Sequence, residues 1–415
     1  MARDMFQTKD FMTLYLNGEY FFEKPPLYFW SECFFFTLFG KVCEYSARFG
    51  VALYGALTAF LVYFTGRKLV DEKFGVLSSL TLATSLEFLI LAKFAILDIV
   101  VSTCIGFALC FGILTLFTKK KKFLWWLFYT FSGLAVMAKG IPGFVIPFGS
   151  IFLAYCFAGK VKELFKPSHF AVGFTIFTLI VIPWHMLMFN IHYPMFYDEY
   201  IYKHHIQRFL GQGEINRTQP VYFYVLTILW GFFPWIFSFV AAIVAKIKSI
   251  KTYNFNDLIN KQKVLYINSI IALFILLFFS TSSTKLVTYI LPIYVPLAFI
   301  NGYIWLNYDK FKRYIDVSSY ILGGILLFAS FVALFMKFYL PHVLYMDILE
   351  AKWLCIILFV VVGLVVIIST KKNKPYGAFC AYVLLMLVLS AFGTKIFYNI
   401  DYKFGQNDLI EFAKY

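Results

Sequence analysis

The sequence predicts an all-α polytopic membrane protein of about twelve transmembrane helices, with further helices lying at the outer membrane surface. Three observations predict it. Of the 415 residues, 61% are hydrophobic and only 14% charged, whereas soluble domains are about half apolar and a quarter charged. The apolar residues fall in runs of about 20, the length a helix needs to cross a bilayer. Lys and Arg collect in short clusters between those runs, so the formal net charge of +15 reads as membrane topology and not as nucleic-acid binding.

In chain order the spans fall at about 45–66, 74–92, 98–118, 123–139, 141–158, 168–187, 220–243, 264–281, 286–304, 318–338, 352–370 and 376–394. The positive-inside rule orients them. With 45–66 running inward, six inner loops carry Arg67, Lys68 and Lys73; Lys119 to Lys122; Lys160, Lys162 and Lys166; Lys246, Lys248, Lys251, Lys261 and Lys263; Lys310, Lys312 and Arg313; and Lys371, Lys372 and Lys374. That is more than half of the basic residues. Residues 1–44 are then an outer juxtamembrane segment, 45–394 the transmembrane domain with a long outer loop at 188–219, and 395–415 the start of an outer soluble domain. The apolar stretch 24–40 is a thirteenth candidate span. It opens with Pro25-Pro26, which suit a first helical turn. It also carries Glu32 at its middle, where ionisation in a bilayer is costly. It is therefore expected to lie along the membrane surface. The seven Cys sit mostly inside apolar runs without metal-type spacing and read as buried apolar residues.

Charge is rare in this chain, so each charged residue expected on the outer side needs a reason. Glu23 and Lys24 stand at the mouth of an apolar segment, where Lys24 could also be an interfacial anchor. Asp98 opens a span from outside, as a helix cap would. The loop 188–219 holds His192, Asp198, Glu199, Lys203, His204, His205, Arg208, Glu214 and Arg217. On a helix, His205 and Arg208 would share a face, and adjacent histidines beside carboxylates can supply metal ligands. Ser282 to Pro292, with Lys285 and Tyr289, is a polar hinge between two spans or an ordinary turn with an interfacial Tyr. All four clusters fall on one side under one topology. That agreement points to a single cationic outer site, suited to a lipid-linked phosphate.

Several stretches together resemble the GT-C membrane glycosyltransferases, in the branch shared by lipid A aminoarabinose transferases and protein O-mannosyltransferases. They are Ala2-Arg3-Asp4-Met5, Asn17-Gly18-Glu19 running into Glu23-Lys24-Pro25-Pro26-Leu27-Tyr28-Phe29-Trp30, Ser46-Ala47-Arg48-Phe49, Leu97-Asp98, and Gly133 to Gly140 with Lys139. Pro183-Trp184, His205-Ile206-Gln207-Arg208-Phe209, Gly231-Phe232-Phe233-Pro234-Trp235, and Lys285-Leu286 with Thr288 to Pro292 follow in the same order. The resemblance implies a thirteen-span fold with one span ahead of Met1, a principal catalytic Asp in an acidic pair upstream of Met1, and a soluble outer domain after Tyr415. It implies that Lys24 and Arg208, with Tyr289 and Lys285, hold a carrier phosphate. Glu23 and His205 would bind a divalent ion, zinc by expectation, and Asp98 would be the catalytic carboxylate within this chain. Phe21 stands where the family often has Tyr, which removes a hydroxyl there.

The implied activity is transfer of a sugar from a polyprenyl-phosphate carrier to lipid A, a surface glycan or a protein at the outer face of the bacterial inner membrane, with inversion at the anomeric carbon. The rival reading is a transporter or lipid-linked sugar flippase. A transporter is expected to show repeated halves with interrupted helices at the midplane, and no such repeat is legible in the sequence.

Overall fold

The computed structural model describes residues 1–119, 121–207, 218–247, 255, 258–335 and 342–404; of these, the side chains of 205, 245–247, 342–351 and 394–404 stay outside the description. The chain is almost wholly helical and divides into two compact units. The first holds residues 1–83, 87–232 and 251–306, the second 84–86, 233–250 and 307–415.

Among the described residues, eight helices are long and apolar enough to cross a membrane, and each overlaps an expected span. In the first unit these are α3 (Glu44–Leu69), α6 (Leu97–Phe117), α9 (Pro167–His192), α13 (Asn260–Thr281) and the stretch Val287–Leu306. The last is a 3-10 segment, Val287–Ile293, running into α14 (Tyr294–Leu306). Two of the eight are central: 89% of the α6 window and 83% of the 287–306 window are buried, against 17% for α9. The N-terminal ends of α6 and of the 3-10 segment are half-buried, and both carry candidate site residues.

Of the other four expected spans, two match helices to within one residue and two are broken. α7 (Lys122–Lys139) and α8 (Ile141–Phe157) form a hairpin with a single residue, Gly140, between them. Gly140 has φ +75°, a conformation that costs glycine little, and Pro142 falls in the first turn of α8, where its missing N–H is harmless. The 74–92 run becomes α4 (Glu72–Ala83) and α5 (Leu86–Leu91), and the 220–243 run becomes α11 (Phe223–Gly231) and α12 (Ile236–Ile247). Each break satisfies the other. The Leu86 amide donates to the Phe233 carbonyl at 3.1 Å, and the Trp235 indole N–H donates to Thr84 Oγ1 at 3.1 Å. Backbone freed inside a membrane protein needs such internal partners.

Ahead of α3 lie α1 (Ala2–Thr8), a two-stranded hairpin of β1 (Tyr15–Leu16) and β2 (Glu19–Tyr20), and α2 (Leu27–Phe39). The hairpin turns on Asn17 and Gly18, both at positive φ, as a two-residue Asn-Gly turn requires. α2 has 13 residues, about 20 Å of helix, shorter than an apolar layer of about 30 Å. The hairpin segment is tied down by Trp30, whose indole N–H donates to the Phe11 carbonyl at 2.7 Å, and by Trp184, which donates to Met12 O at 3.1 Å. Phe22 is buried with Met137, Trp184, Met188, Phe196 and Tyr200, which fixes the chain just before Glu23 and Lys24.

In the second unit, α12 packs on α15 (Tyr308–Leu334), α15 on α16 (His342–Lys371), and α16 on α17 (Pro375–Phe404). Trp235 is buried against Phe379 and Tyr382, and the Tyr382 hydroxyl donates to Ser319 Oγ at 2.9 Å. α15 begins ten residues before the expected span. Lys310, Lys312 and Arg313 thus lie on a helix, and Lys312 pairs with Asp316 one turn on at 3.0 Å.

Candidate functional site

The site is built at helix ends of the first unit. α7 ends on Lys139 and α6 begins at Leu97-Asp98. A cation suits a helix C-terminus and an anion an N-terminus, and these two antiparallel ends meet. Lys139 Nζ forms an ion pair with Asp98 Oδ1, with side chains 12% and 17% exposed. Thr288 Oγ1 donates to the second carboxylate oxygen, Asp98 Oδ2, at 2.6 Å. The next residue, Tyr289, lays its ring under the same ammonium, 3.8 Å from Lys139 Nζ to the ring centroid. That is well inside cation–π range.

Lys139 and Tyr289 form part of the wall of a cavity of about 460 Å³. Glu23 and Lys24 line it from the segment before α2, and His204 and Ile206 from α10 (Tyr197–Gln207), a π-helical stretch of the outer loop. The remaining wall is largely apolar, with Ile141, Pro142 and Val145 of α8 and Phe278 and Phe279 of α13. Lys24 Nζ donates to the Glu23 carbonyl at 3.2 Å, and Glu23 Oε1 lies 3.8 Å from His204 Nε2. α10 is held to α9 where the Tyr200 hydroxyl meets His185 Nε2 at 3.1 Å. Short π-helical stretches recur at functional sites, and this one carries His204 to Glu23.

The expected residues divide accordingly. Glu23, Lys24 and Tyr289 lie on the cavity wall. Asp98 does not; it sits behind Lys139, beside a separate void of about 10 Å³ that Thr288 and Tyr289 also line. Lys285 is not on the wall either. It is buried and donates to the carbonyls of Gln219 at 2.9 Å and Ser282 at 2.5 Å, beside a β-bridge between Thr218 and Thr284. Burial depresses its pKa below the usual lysine value, and its place fastens the end of the outer loop to the hinge. Arg208 and the His205 side chain lie outside the described residues. Among the described residues no group of three His, Cys, Asp or Glu side chains could hold a metal ion.

Lys139 and Thr288 carry no assigned site role in the sequence analysis, and His204 appears there only as one of two adjacent histidines that could supply a metal ligand. Lys139 had a usable signal: under the inferred topology it is a lysine at the outer end of a span, whereas the loop lysines cluster on the inner side. Thr288 had none, since its role depends on a contact 190 residues away.

Comparison with known proteins adds the following. The family described as dolichyl-phosphate-mannose-protein mannosyltransferase matches residues 2–197. An uncharacterized protein of Aquifex aeolicus is 31% identical over 339 residues, 81% of this chain and 64% of its own length. The undecaprenyl phosphate-alpha-4-amino-4-deoxy-L-arabinose arabinosyl transferase of Pectobacterium carotovorum is 26% identical over 95% of this chain and 70% of its own. The chain thus spans less than two thirds of the Aquifex protein and somewhat more of the Pectobacterium one. The crystal structure of ArnT from Cupriavidus metallidurans bound to undecaprenyl phosphate superposes with a TM-score of 0.74 at 22% identity, covering 95% of this chain and 72% of that one. At that identity the likeness shows a shared fold.

Proposed function

Because the chain belongs to the GT-C membrane glycosyltransferases, in the group of the protein mannosyltransferases and aminoarabinose transferases, we propose that it transfers a sugar from a polyprenyl-phosphate carrier to an acceptor at the outer face of the inner membrane. One observation carries the reading: two ammonium groups, Lys24 and Lys139, share with Glu23 and His204 the polar part of a cavity wall whose remainder is largely apolar. Such a wall fits an anionic head on a long apolar tail. Ile141, Val145, Phe278 and Phe279 would take the first prenyl units, and the lysines the phosphate.

The chemistry follows from the charge. On transfer, the bond between the anomeric carbon and the phosphate oxygen breaks, and the phosphate leaves with one more negative charge. Fixed cations near that oxygen stabilise the transition state more than the ground state. The acceptor oxygen approaches from the opposite face, which inverts the anomeric centre. A phosphate acceptor is already ionised near neutral pH, whereas a Ser, Thr or sugar hydroxyl needs a base. In this arrangement both Asp98 oxygens are engaged, so Asp98 acts as partner to Lys139. Arg208 would add a third cation from the outer loop.

A divalent ion, zinc by expectation, is a separable part of the proposal. Glu23 with His204, or with its neighbour His205, offers the right donor types. Two protein donors fall short of a complete zinc site, so no step is assigned to an ion. Elemental analysis after incubation with zinc and desalting tests it: about one ion per chain, lost in Glu23→Ala, is the expected result, and a metal-free chain overturns it.

The main test uses the purified chain in nanodiscs with undecaprenyl phosphate and with undecaprenol. Binding should need the phosphate. Lys24→Ala should weaken it roughly ten- to hundredfold, the worth of one charge-assisted hydrogen bond. Equal affinity for the two lipids would overturn the reading, and a radiolabelled polyprenyl-phosphate sugar offered with lipid A, glycan and peptide acceptors reads the acceptor class. The breaks at 84–85 and 232–235 are a feature shared with transporters, but neither holds a charged side chain.

A further inference from the structure

Lys139 reaches the large cavity and Asp98 does not. The void beside Asp98 measures about 10 Å³, roughly room for a single water and nothing larger. A carrier phosphate or a sugar could therefore meet the ammonium of Lys139 but not the carboxylate behind it. Asp98 is itself fixed from two directions, Oδ1 on Lys139 and Oδ2 on Thr288 at 2.6 Å. Thr288 and Tyr289 are successive residues of one 3-10 turn, and they grip the same ammonium differently. Tyr289 lies under it at 3.8 Å, and Thr288 holds its counter-ion. This turn follows directly on the hinge that Lys285 fastens to Gln219.

From this layering we propose that Thr288 is a positioning residue of the site: it orients Asp98, and through Asp98 it holds the Lys139 ammonium at the cavity wall for an anionic ligand. The inference rests on the polyprenyl-phosphate reading and adds a residue and an order of action to it. Lys139 touches the ligand, Asp98 aims Lys139, and Thr288 aims Asp98. The alternative role for Thr288 is packing, in which its methyl group matters and its hydroxyl does not.

The experiment measures the affinity of the full chain for undecaprenyl phosphate in nanodiscs, for wild type, Thr288→Val, Thr288→Ser, Asp98→Asn and the double variant T288V/D98N. Thr288→Val keeps the shape and loses the hydroxyl. It should weaken binding about tenfold, while Thr288→Ser should stay within about twofold of wild type. Asp98→Asn should lose about tenfold or more, and adding Thr288→Val to it should change little, because both act along one line. Wild-type affinity in Thr288→Val, an equal loss in Thr288→Ser and Thr288→Val, or additive losses in the double variant would each overturn the inference. Failure of the wild-type chain to bind undecaprenyl phosphate would instead overturn the functional reading, and the inference with it.

Discussion

At the scale of single residues, the pair Lys139–Asp98 shows how a membrane protein keeps charge where charge is costly. Both side chains are mostly buried, and each stands at the helix end whose dipole favours it. Removing one partner leaves the other charge buried without its counter-ion. Lys139→Met should therefore lower stability by about 3 kcal/mol, and Lys139→Met with Asp98→Leu should recover most of it; thermal unfolding in one detergent checks both, and a double variant no better than the single one would contradict the argument. Glu32 gives a pH dependence. Its carboxyl accepts from the Tyr28 hydroxyl at 2.8 Å, yet burial pushes its pKa up from 4.5 to about 7. The folded chain therefore holds this proton more tightly than the unfolded chain. Stability should fall as pH rises from about 4.5 to about 7 and level off above it. Glu32→Gln should raise the melting temperature at pH 8 and flatten that slope, and an unchanged slope would show that Glu32 is not its source. The cost of ionising Glu32 was legible in the sequence. The partner of Asp98 was not, because a Lys at the end of an apolar run looks the same whether it snorkels or pairs.

At the scale of elements, hydropathy finds long apolar helices and does not show what they pack against. The eight long apolar helices were legible from length and composition, the largely unburied α9 and the largely buried α6 alike. The two breaks were not, since both runs stay apolar on average and the signals inside them, Thr84, Ser85 and Glu87 in 74–92 and Pro234 in 220–243, do not by themselves end a span. What the runs do not show is that Thr84 and Leu86 take their partners from 233–235. The hairpin of α7 and α8 is a second case. A Cβ at Gly143 would collide with the Ala135 backbone, so the two helices touch backbone to backbone, as small residues allow in membrane proteins. Backbone cannot rotate away as a side chain can. Gly143→Ala should thus cost about 1–3 kcal/mol and shift Lys139, four residues away, so that stability and undecaprenyl-phosphate binding fall together. Unchanged binding with lowered stability would show that the hairpin does not set the position of Lys139.

At the scale of the whole molecule, the argument for one functional face rests on sidedness. The residues that meet at the cavity come from five separated stretches: 23–24, 139–145, 204–206, 278–284 and 289. All of them lie at or beside segments that the distribution of Lys and Arg puts outside. Loop lysines such as Lys162 and Lys372 are exposed and fall in the segments put inside. Nothing in the geometry requires this agreement, because a cavity could equally have opened among the inner loops. Sidedness can be read directly with a membrane-impermeant thiol reagent on intact cells, in a background lacking the seven native Cys. Tyr20→Cys, on the hairpin and 47% exposed, should be labelled in intact cells. Lys162→Cys and Lys372→Cys should be labelled only after permeabilisation. Labelling of Lys162→Cys in intact cells with Tyr20→Cys protected would invert the topology. It would place Lys24 and Lys139 at the inner face and remove the outer-face transfer reaction, whatever the affinity of the cavity for its lipid.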